Sequence, residues 1–283
     1  MSSSQPKSKL EEIAKLFANE SIKFDLKPFG EGSRLISKYR KNMNELVQSD
    51  PYEAYMGLGV LSAYENNYDL ALRYFDSAQR LDPTSRSPRI NIATCMLLNG
   101  DLDNCVDILV DTLSDFPNEP IVIGTIFRIL SMFFYFDKIE SLKEESMSNS
   151  TFNRIVAEET EDNFDVKNFI KSTDINLSVL RTMKVLANQE FFSRFSINSS
   201  YVSNYNVDCD EVKFDEVVYI SPELFGNMHA EKESIVYAMN ESLQEKFVDL
   251  MMHYSLQENS ETLLKSFRNI SIYFLADSRI KKS

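Results

Sequence analysis

Residues that build catalytic, metal and disulfide sites are scarce in this chain, which has three cysteines and two histidines among 283 residues. Three cysteines cannot form a disulfide framework for a chain of this size, and the odd number suits a reducing compartment. His229 and His253 lie far apart in one predicted helix, and neither belongs to a HExxH or Cys-His metal pattern. We therefore expect no enzymatic activity, no cofactor and no bound metal.

Glycine loops that cradle phosphates are missing as well. No Gly-x-x-x-x-Gly-Lys-Ser/Thr segment occurs, and the Gly-x-Gly pairs at residues 30–32 and 57–59 have no third glycine and follow no predicted strand. Carboxylates cluster after Asp208, but a calcium loop starting there would place Lys213 and Tyr219 where it needs glycine and glutamate. The sequence predicts neither nucleotide nor calcium binding.

Positive charge is also in short supply. The chain has 30 lysines and arginines against 43 acidic residues, which gives a net charge of −13 and a pI near 4.8. Binding to nucleic acid depends on Lys and Arg side chains that neutralise phosphates, so we expect no nucleic-acid partner. A basic or hydrophobic protein segment is compatible with this charge.

The chain lacks an apolar run long enough to cross a membrane. Residues 121–136 are the most apolar stretch, but a helix of about 16 residues falls short of a bilayer core of about 30 Å, and Arg128 interrupts it. The first residues show no charged stretch followed by an apolar run, so no signal peptide is predicted. We expect a cytoplasmic protein without an integral membrane span.

Residues 52–117 contain two tandem copies of a helix-turn-helix pattern with a period of 34 residues. The first copy combines small and large apolar residues at fixed spacing: Tyr55, Leu58, Gly59, Tyr68, Ala71, Phe75, Ala78, Leu81 and Pro83. The second copy repeats this pattern with Ala93, Cys105, Leu109 and Pro117. The turn Asn66-Asn67 recurs as Asn99-Gly100, displaced by one residue from strict register. This spacing resembles the tetratricopeptide repeat.

The tetratricopeptide resemblance implies an α-α superhelix whose first helices line a concave, protein-binding groove. In the family register the groove residues are Met56, Val60, Ala63, Tyr64, Ile90, Thr94, Leu97 and Leu98. They are mostly apolar and lack the lysine and asparagine with which some repeat proteins clamp a terminal carboxylate. The resemblance therefore implies a groove for a hydrophobic segment. Alternatively, some of these residues pack on the N-terminal helices or on a second domain.

A narrower resemblance covers residues 55–113. These residues are similar to class II chaperones, which hold translocator subunits of bacterial type III secretion. The matching residues are Gly57-Leu-Gly59, Tyr68, Leu70-Ala71, Tyr74, Ala78, Asp82, Pro88-Arg89, Ala93, Cys95 and Gly100. The likeness spans about a fifth of the chain, and the family's members are much shorter. It implies a cytoplasmic chaperone for an apolar partner segment.

The full chain is predicted to be mainly α, with a tetratricopeptide-like part followed by a smaller helical or α+β domain that contains a β-hairpin. Four parts are expected: N-terminal helices with a partial repeat (1–50), the repeat domain (51–143), an acidic and polar linker (144–165) and the C-terminal α+β domain (166–283). A third repeat begins after Pro120 and degrades, since Lys143 stands where Phe75 and Leu109 stood.

In the C-terminal domain the patterns predict one helix, a hairpin and two more helices. The expected segments are 174–195 (helix), 201–207 and 212–220 (strands), 230–256 (helix) and 261–276 (helix). Functionally, the sequence favours a non-enzymatic adaptor or chaperone that binds through its groove. Two alternatives stay open: a subunit of a larger assembly with the C-terminal domain as its working part, and an enzyme hidden in that domain.

Overall fold

The computed structural model describes residue 13 and residues 31–145, 150–160, 164–195 and 201–277. Within them the protein is mainly α-helical, which confirms the predicted fold class: ten helices packed in pairs precede an α+β region with a three-stranded sheet. The first ten helices are α1 (Glu31–Leu46), α2 (Pro51–Tyr64), α3 (Tyr68–Leu81), α4 (Arg86–Asn99), α5 (Leu102–Asp115), α6 (Pro120–Met132), α7 (Phe136–Glu145), α8 (Ser150–Thr160), α9 (Phe164–Ser172) and α10 (Leu177–Arg194).

The elements that follow α10 are β1 (Val202–Asp208), β2 (Lys213–Ile220), a 3₁₀ helix (Pro222–Glu231), α11 (Lys232–Ser255), α12 (Ser260–Arg268) and β3 (Ile270–Ala276). The part of the predicted N-terminal helices (1–50) that precedes Glu31 lies outside the described residues, apart from Ile13, which is fully buried. No helix of the described part of the chain is long and apolar enough to cross a membrane.

The paired helices are joined by the same turn three times. Asn66, Gly100 and Phe134, which are 34 residues apart, all adopt left-handed backbone conformations, with φ of 61°, 93° and 57°. In each turn the next amide donates to the carbonyl five residues earlier, for example Asp101 N to Met96 O at 2.8 Å. The left-handed residues therefore keep strict register, although the dipeptides Asn66-Asn67 and Asn99-Gly100 that mark the turns in the sequence are displaced by one residue.

Side-chain size sets how closely the two helices of a pair approach. A Cβ on Gly59 would lie 2.5 Å from the Phe75 ring, so only glycine fits beneath that ring. In the third pair Phe127 stands at the position of Gly59, while Lys143 stands at that of Phe75. Phe127 packs edge-on against Phe152 of α8, with ring centroids 5.3 Å apart. In the third pair, the residue at this position therefore packs against the following helix, α8, rather than against the second helix of its own pair.

Helix α8 lies in the segment that composition predicted as a linker. Phe152, Ile155 and Val156 are buried against the repeat helices, and Arg128 of α6 forms an ion pair with Glu159 at 3.3 Å. These apolar residues have helical spacing, which was hidden by the acidic residues around them. The stack of helices therefore continues beyond residue 143.

The predicted hairpin is present, with β1 antiparallel to β2 and Val202 opposite Tyr219. The last predicted helix was wrong in its second half, because residues from Ile270 form β3, which pairs parallel to β2. Ile270, Ile272 and Phe274 are buried while the residues between them are exposed, which is the alternation of a strand. The spacing of Leu264, Phe267, Ile270 and Phe274 concealed it, because those positions also fit a helix.

Two large hydrophobic cores meet at α10. One contains buried residues of α4 to α8 together with Val185 of α10. The other contains α9, the remaining buried residues of α10, the inner face of the sheet and α11. Phe134, from the turn after α6, also belongs to the second core, where its ring lies 5.6 Å from Tyr205 and 5.8 Å from Phe214. The repeats and the C-terminal region thus share side chains.

Candidate functional site

The eight predicted groove residues lie on α2 and α4, as the register required, but most of them are covered. Five are at most 8 % exposed: Met56, Ala63, Tyr64, Leu97 and Leu98. Three are half-buried: Val60, Ile90 and Thr94. A continuous open channel along these residues is therefore not available.

Residues from the N-terminal part cover one end of the predicted groove on α2. Tyr64 belongs to a core with Ile13, Ile36 and Met43. Helix α1 approaches α2 so closely that a Cβ on Gly57 would lie 2.3 Å from the Met43 sulfur. Tyr64 is therefore covered by the N-terminal part, whereas Met56 and Ala63 are buried within the repeats, in a core with Phe75 and Ile92.

Helix α10 covers the ends of α4 and α6. Gln189 Nε2 donates to Leu98 O at 3.0 Å, and Val185 packs in the same core as Leu97. Arg181 donates from Nε to Phe133 O at 2.9 Å and from a terminal nitrogen to Phe134 O at 3.0 Å. The three α10 residues are spaced by four, so they form one face of the helix. From this face, Arg181 and Gln189 donate hydrogen bonds to carbonyl groups at the C-terminal ends of α6 and α4.

An adjacent side of α10 carries a buried charge into the C-terminal core. Lys184 Nζ lies 2.5 Å from Glu216 Oε2 on β2, and both side chains are at most 3 % exposed. Ser203 on β1 donates to the other carboxylate oxygen of Glu216 at 2.6 Å. The Lys184 ammonium also lies 4.9 Å from the centre of the Phe134 ring and 5.0 Å from that of Tyr205. Each charged group is therefore compensated within the core.

A second buried carboxylate ties α10 to α11. Glu190 Oε2 accepts hydrogen bonds from Lys246 Nζ at 2.5 Å and from Ser242 Oγ at 2.8 Å. Arg194 lies 3.6 Å from the other oxygen. Because its two sides are anchored to different cores, α10 cannot leave the repeats without disrupting the C-terminal region. It is a structural joint between the two parts.

Reactive side chains are placed apart from one another. Cys95 and Cys105 are buried, and burial raises the pKa of each thiol to about 12. His229 Nδ1 lies 3.3 Å from Pro222 O, whereas His253 contacts Gln257. Within the described ranges no group of three His, Cys, Asp or Glu residues is arranged to hold a metal ion.

The carboxylates after Asp208 form the hairpin turn. Asp208 Oδ1 accepts from the backbone amides of Asp210 and Glu211 at 2.9 and 3.0 Å. All three residues are exposed. These carboxylates therefore form a solvent-exposed turn.

Exposed apolar side chains concentrate in the C-terminal region, which sequence reasoning missed. Of the ten large apolar residues of the described chain that are strongly exposed, two lie in the repeats, Leu81 and Ile121. The other eight are Val202, Met228, Tyr237, Val248, Met252, Leu256, Tyr273 and Leu275. The consecutive apolar residues of β3 were a usable signal, because a strand with apolar residues at successive positions presents them on both faces.

No protein-family model matches the chain, and no curated protein matches its sequence.

Proposed function

We propose that this chain is a non-enzymatic protein-binding subunit of a larger assembly, with tetratricopeptide-type repeats as its scaffold and the C-terminal α+β region as its working part. The acidic chain fits a partner segment that is hydrophobic or basic, and it disfavours nucleic acid. A cytoplasmic location is part of the same proposal.

The position of α10 is the observation that carries this proposal. Its Arg181, Val185 and Gln189 contact the ends of the repeat helices, so the chain's own helix covers part of the groove. At the same time, most of the strongly exposed apolar side chains of the described residues lie between Val202 and Leu275. Large exposed apolar surface is what marks a site for another protein.

Binding in the groove is the second candidate. Val60, Ile90 and Thr94 remain half-buried rather than buried, so they could still contact a partner. We do not carry over the chaperone function of type III secretion, because five of the eight residues that would hold the translocator segment are covered.

Affinity purification of the tagged full-length protein from its native host, followed by mass spectrometry, tests the proposal. Wild type is compared with Tyr273→Glu/Leu275→Glu, which alters exposed residues of β3, and with Val60→Asp/Ile90→Asp, which alters the half-buried groove residues. We expect a stoichiometric partner that the β3 variant loses and the groove variant retains. Circular dichroism of each variant checks that the fold is intact.

Loss of the partner in the groove variant alone would instead favour the groove. Absence of any partner retained above a tag-only control would contradict a protein-binding function.

A further inference from the structure

The solvent face of the three-stranded sheet has an apolar end and a polar end. At the apolar end, Val202 lies opposite Tyr219, which lies beside Leu275, and in the neighbouring row Val217 lies beside Tyr273. These five side chains are exposed or half-buried, and they belong to none of the hydrophobic cores of the described chain. We call them the outer sheet face. The remaining positions are polar, as is usual for a face in solvent: Asn204, Asn206, Asp215 and Ser271.

Helix α11 extends this surface beyond the edge of the sheet. The Asn240 side chain closes the free edge of β3, because its amide donates to Phe274 O at 3.0 Å and accepts from Phe274 N at 2.8 Å. On the solvent side of α11, Tyr237, Val248 and Met252 are exposed at helical spacing. The apolar surface therefore has a sheet part and a helix part that are neighbours.

Acidic residues border the apolar row of α11. Glu241, Glu245 and Asp249 are exposed and spaced by four, and none of them is in an ion pair within the described chain. The Glu241 carboxylate accepts a hydrogen bond from the Tyr237 phenol. The nearest cation of the helix, Lys246, is already bound to Glu190. The surface thus combines apolar contact area with uncompensated negative charge.

The size of the outer sheet face selects a single helix as its occupant. Two rows of side chains across three strands make a surface about 14 Å wide and about 14 Å long. A helix with side chains is about 10–12 Å across, so one helix covers both rows, and about nine of its residues span the three strands. The area, about 200 Å², is well below the roughly 800 Å² per partner of a standard protein interface, so a second copy of the chain fits poorly.

We propose that the outer sheet face and the exposed row of α11 bind an amphipathic helix of a partner protein, whose apolar side is flanked by lysine or arginine. This inference rests on the proposed protein-binding function and names the surface and the chemistry of the partner. Apolar residues of the helix contact Tyr273, Leu275 and Val248, and its cations lie against Glu241 and Glu245.

Fluorescence anisotropy with a labelled 18-residue leucine-lysine peptide, designed as a helix with one apolar face, tests the inference on the full-length protein. We expect saturable binding at near-physiological salt. The same composition in an order without an apolar face, and a version with glutamate in place of lysine, should bind at least about tenfold more weakly.

Surface variants locate the binding site. Tyr273→Glu/Leu275→Glu should weaken binding of the peptide at least about tenfold, while the matched exposed pair Leu81→Glu/Ile121→Glu on the repeats should change the Kd less than about twofold. Equal losses for the two pairs would overturn the assignment to the outer sheet face.

Charge variants distinguish attraction of the peptide by the carboxylates of α11 from attraction by the net negative charge of the whole protein. Glu241→Lys/Glu245→Lys should weaken binding strongly, whereas Asp76→Lys/Asp111→Lys on the repeats changes the net charge by the same amount and should have little effect. Equal effects would show general attraction to an acidic protein and overturn the inference. If the wild type does not bind the amphipathic peptide but still retains its native partner, the inference fails while the proposed function stands.

Discussion

The repeats and the C-terminal region bury different kinds of side chains. Successive repeat helices share aliphatic and aromatic cores, and their ion pairs, such as Lys138 with Asp107 at 3.2 Å, lie at the surface. The C-terminal region instead buries charged groups: both members of the Lys184–Glu216 pair, and the Glu190 carboxylate, whose partner Lys246 is partly exposed. The repeats therefore tolerate loss of a charge, while the C-terminal core requires both members of each pair.

The two regions also differ in what they leave exposed. The predicted groove is partly covered by residues from outside the repeats: Met43 and Ile36 share a core with Tyr64, and Val185 shares one with Leu97. The C-terminal region leaves Tyr273 and Leu275 in solvent. The spacing of the repeat predicts which residues face a groove, but residues outside the repeats determine whether that groove is open to a partner.

The largest effect is expected at Phe134, where the two regions meet. Phe134→Ala should lower the free energy of unfolding by about 3–5 kcal/mol, because a fully buried ring leaves a cavity in the C-terminal core. Urea unfolding measures the loss, and hydrogen exchange should locate it in β1, β2 and α9. Phe133→Ala is the matched variant, and it should instead loosen α6 and α7, since Phe133 belongs to the repeat core. Identical exchange patterns would contradict two distinct cores.

Breaking the buried ion pair should cost about as much. Lys184→Met leaves Glu216 buried without its cation, so we expect a loss of about 3–5 kcal/mol, and Lys184→Met/Glu216→Leu should recover most of it. The comparison is Lys138→Met on the repeats, where the exposed pair with Asp107 should contribute less than about 1 kcal/mol. Equal urea midpoints of unfolding for Lys184→Met and Lys138→Met would contradict this difference between the C-terminal region and the repeats.

Close packing within the repeats predicts a smaller effect. Gly59→Ala should destabilise by about 1–3 kcal/mol, because the new methyl group would overlap the Phe75 ring, which is enclosed on all sides. Gly124→Ala is the control: its Cβ would meet no atom closer than 3.7 Å, so the gain in helix propensity should stabilise by about 0.5–1 kcal/mol. Thermal melts of the two variants should shift in opposite directions.

The left-handed turns predict the smallest effect. Gly100→Ala should destabilise by about 1–2 kcal/mol, because φ is 93° and an added Cβ would also lie 3.2 Å from Gln189 of α10. Asn66→Gly, at the equivalent turn, should be neutral or slightly stabilising. A neutral Gly100→Ala in chemical unfolding would argue that this turn and its contact with α10 are loosely held.

The sequence was sufficient where structure is local and repeated. The spacing of Gly59, Ala71 and Phe75 predicts the paired helices, and the alternation after Val202 and Lys213 predicts the hairpin. It was insufficient where one pattern fits two structures, as in β3, or where acidic composition hides apolar spacing, as in α8. The sequence could not show that the groove is covered, because the cover depends on contacts between residues that are far apart in the chain. Gln189 and Leu98, for example, are 91 residues apart.

Site-specific photo-crosslinking in the native host distinguishes a partner bound to the C-terminal surface from a partner bound in the groove. A photoreactive phenylalanine analogue is introduced at Tyr273 and Tyr237 on that surface, or at Val60 and Ile90 in the groove, with Ile121 as an exposed control. The account predicts crosslinks to one partner from Tyr273 and Tyr237 and none from Val60 or Ile90. Crosslinks from Val60 and Ile90, with none from Tyr273, would contradict it.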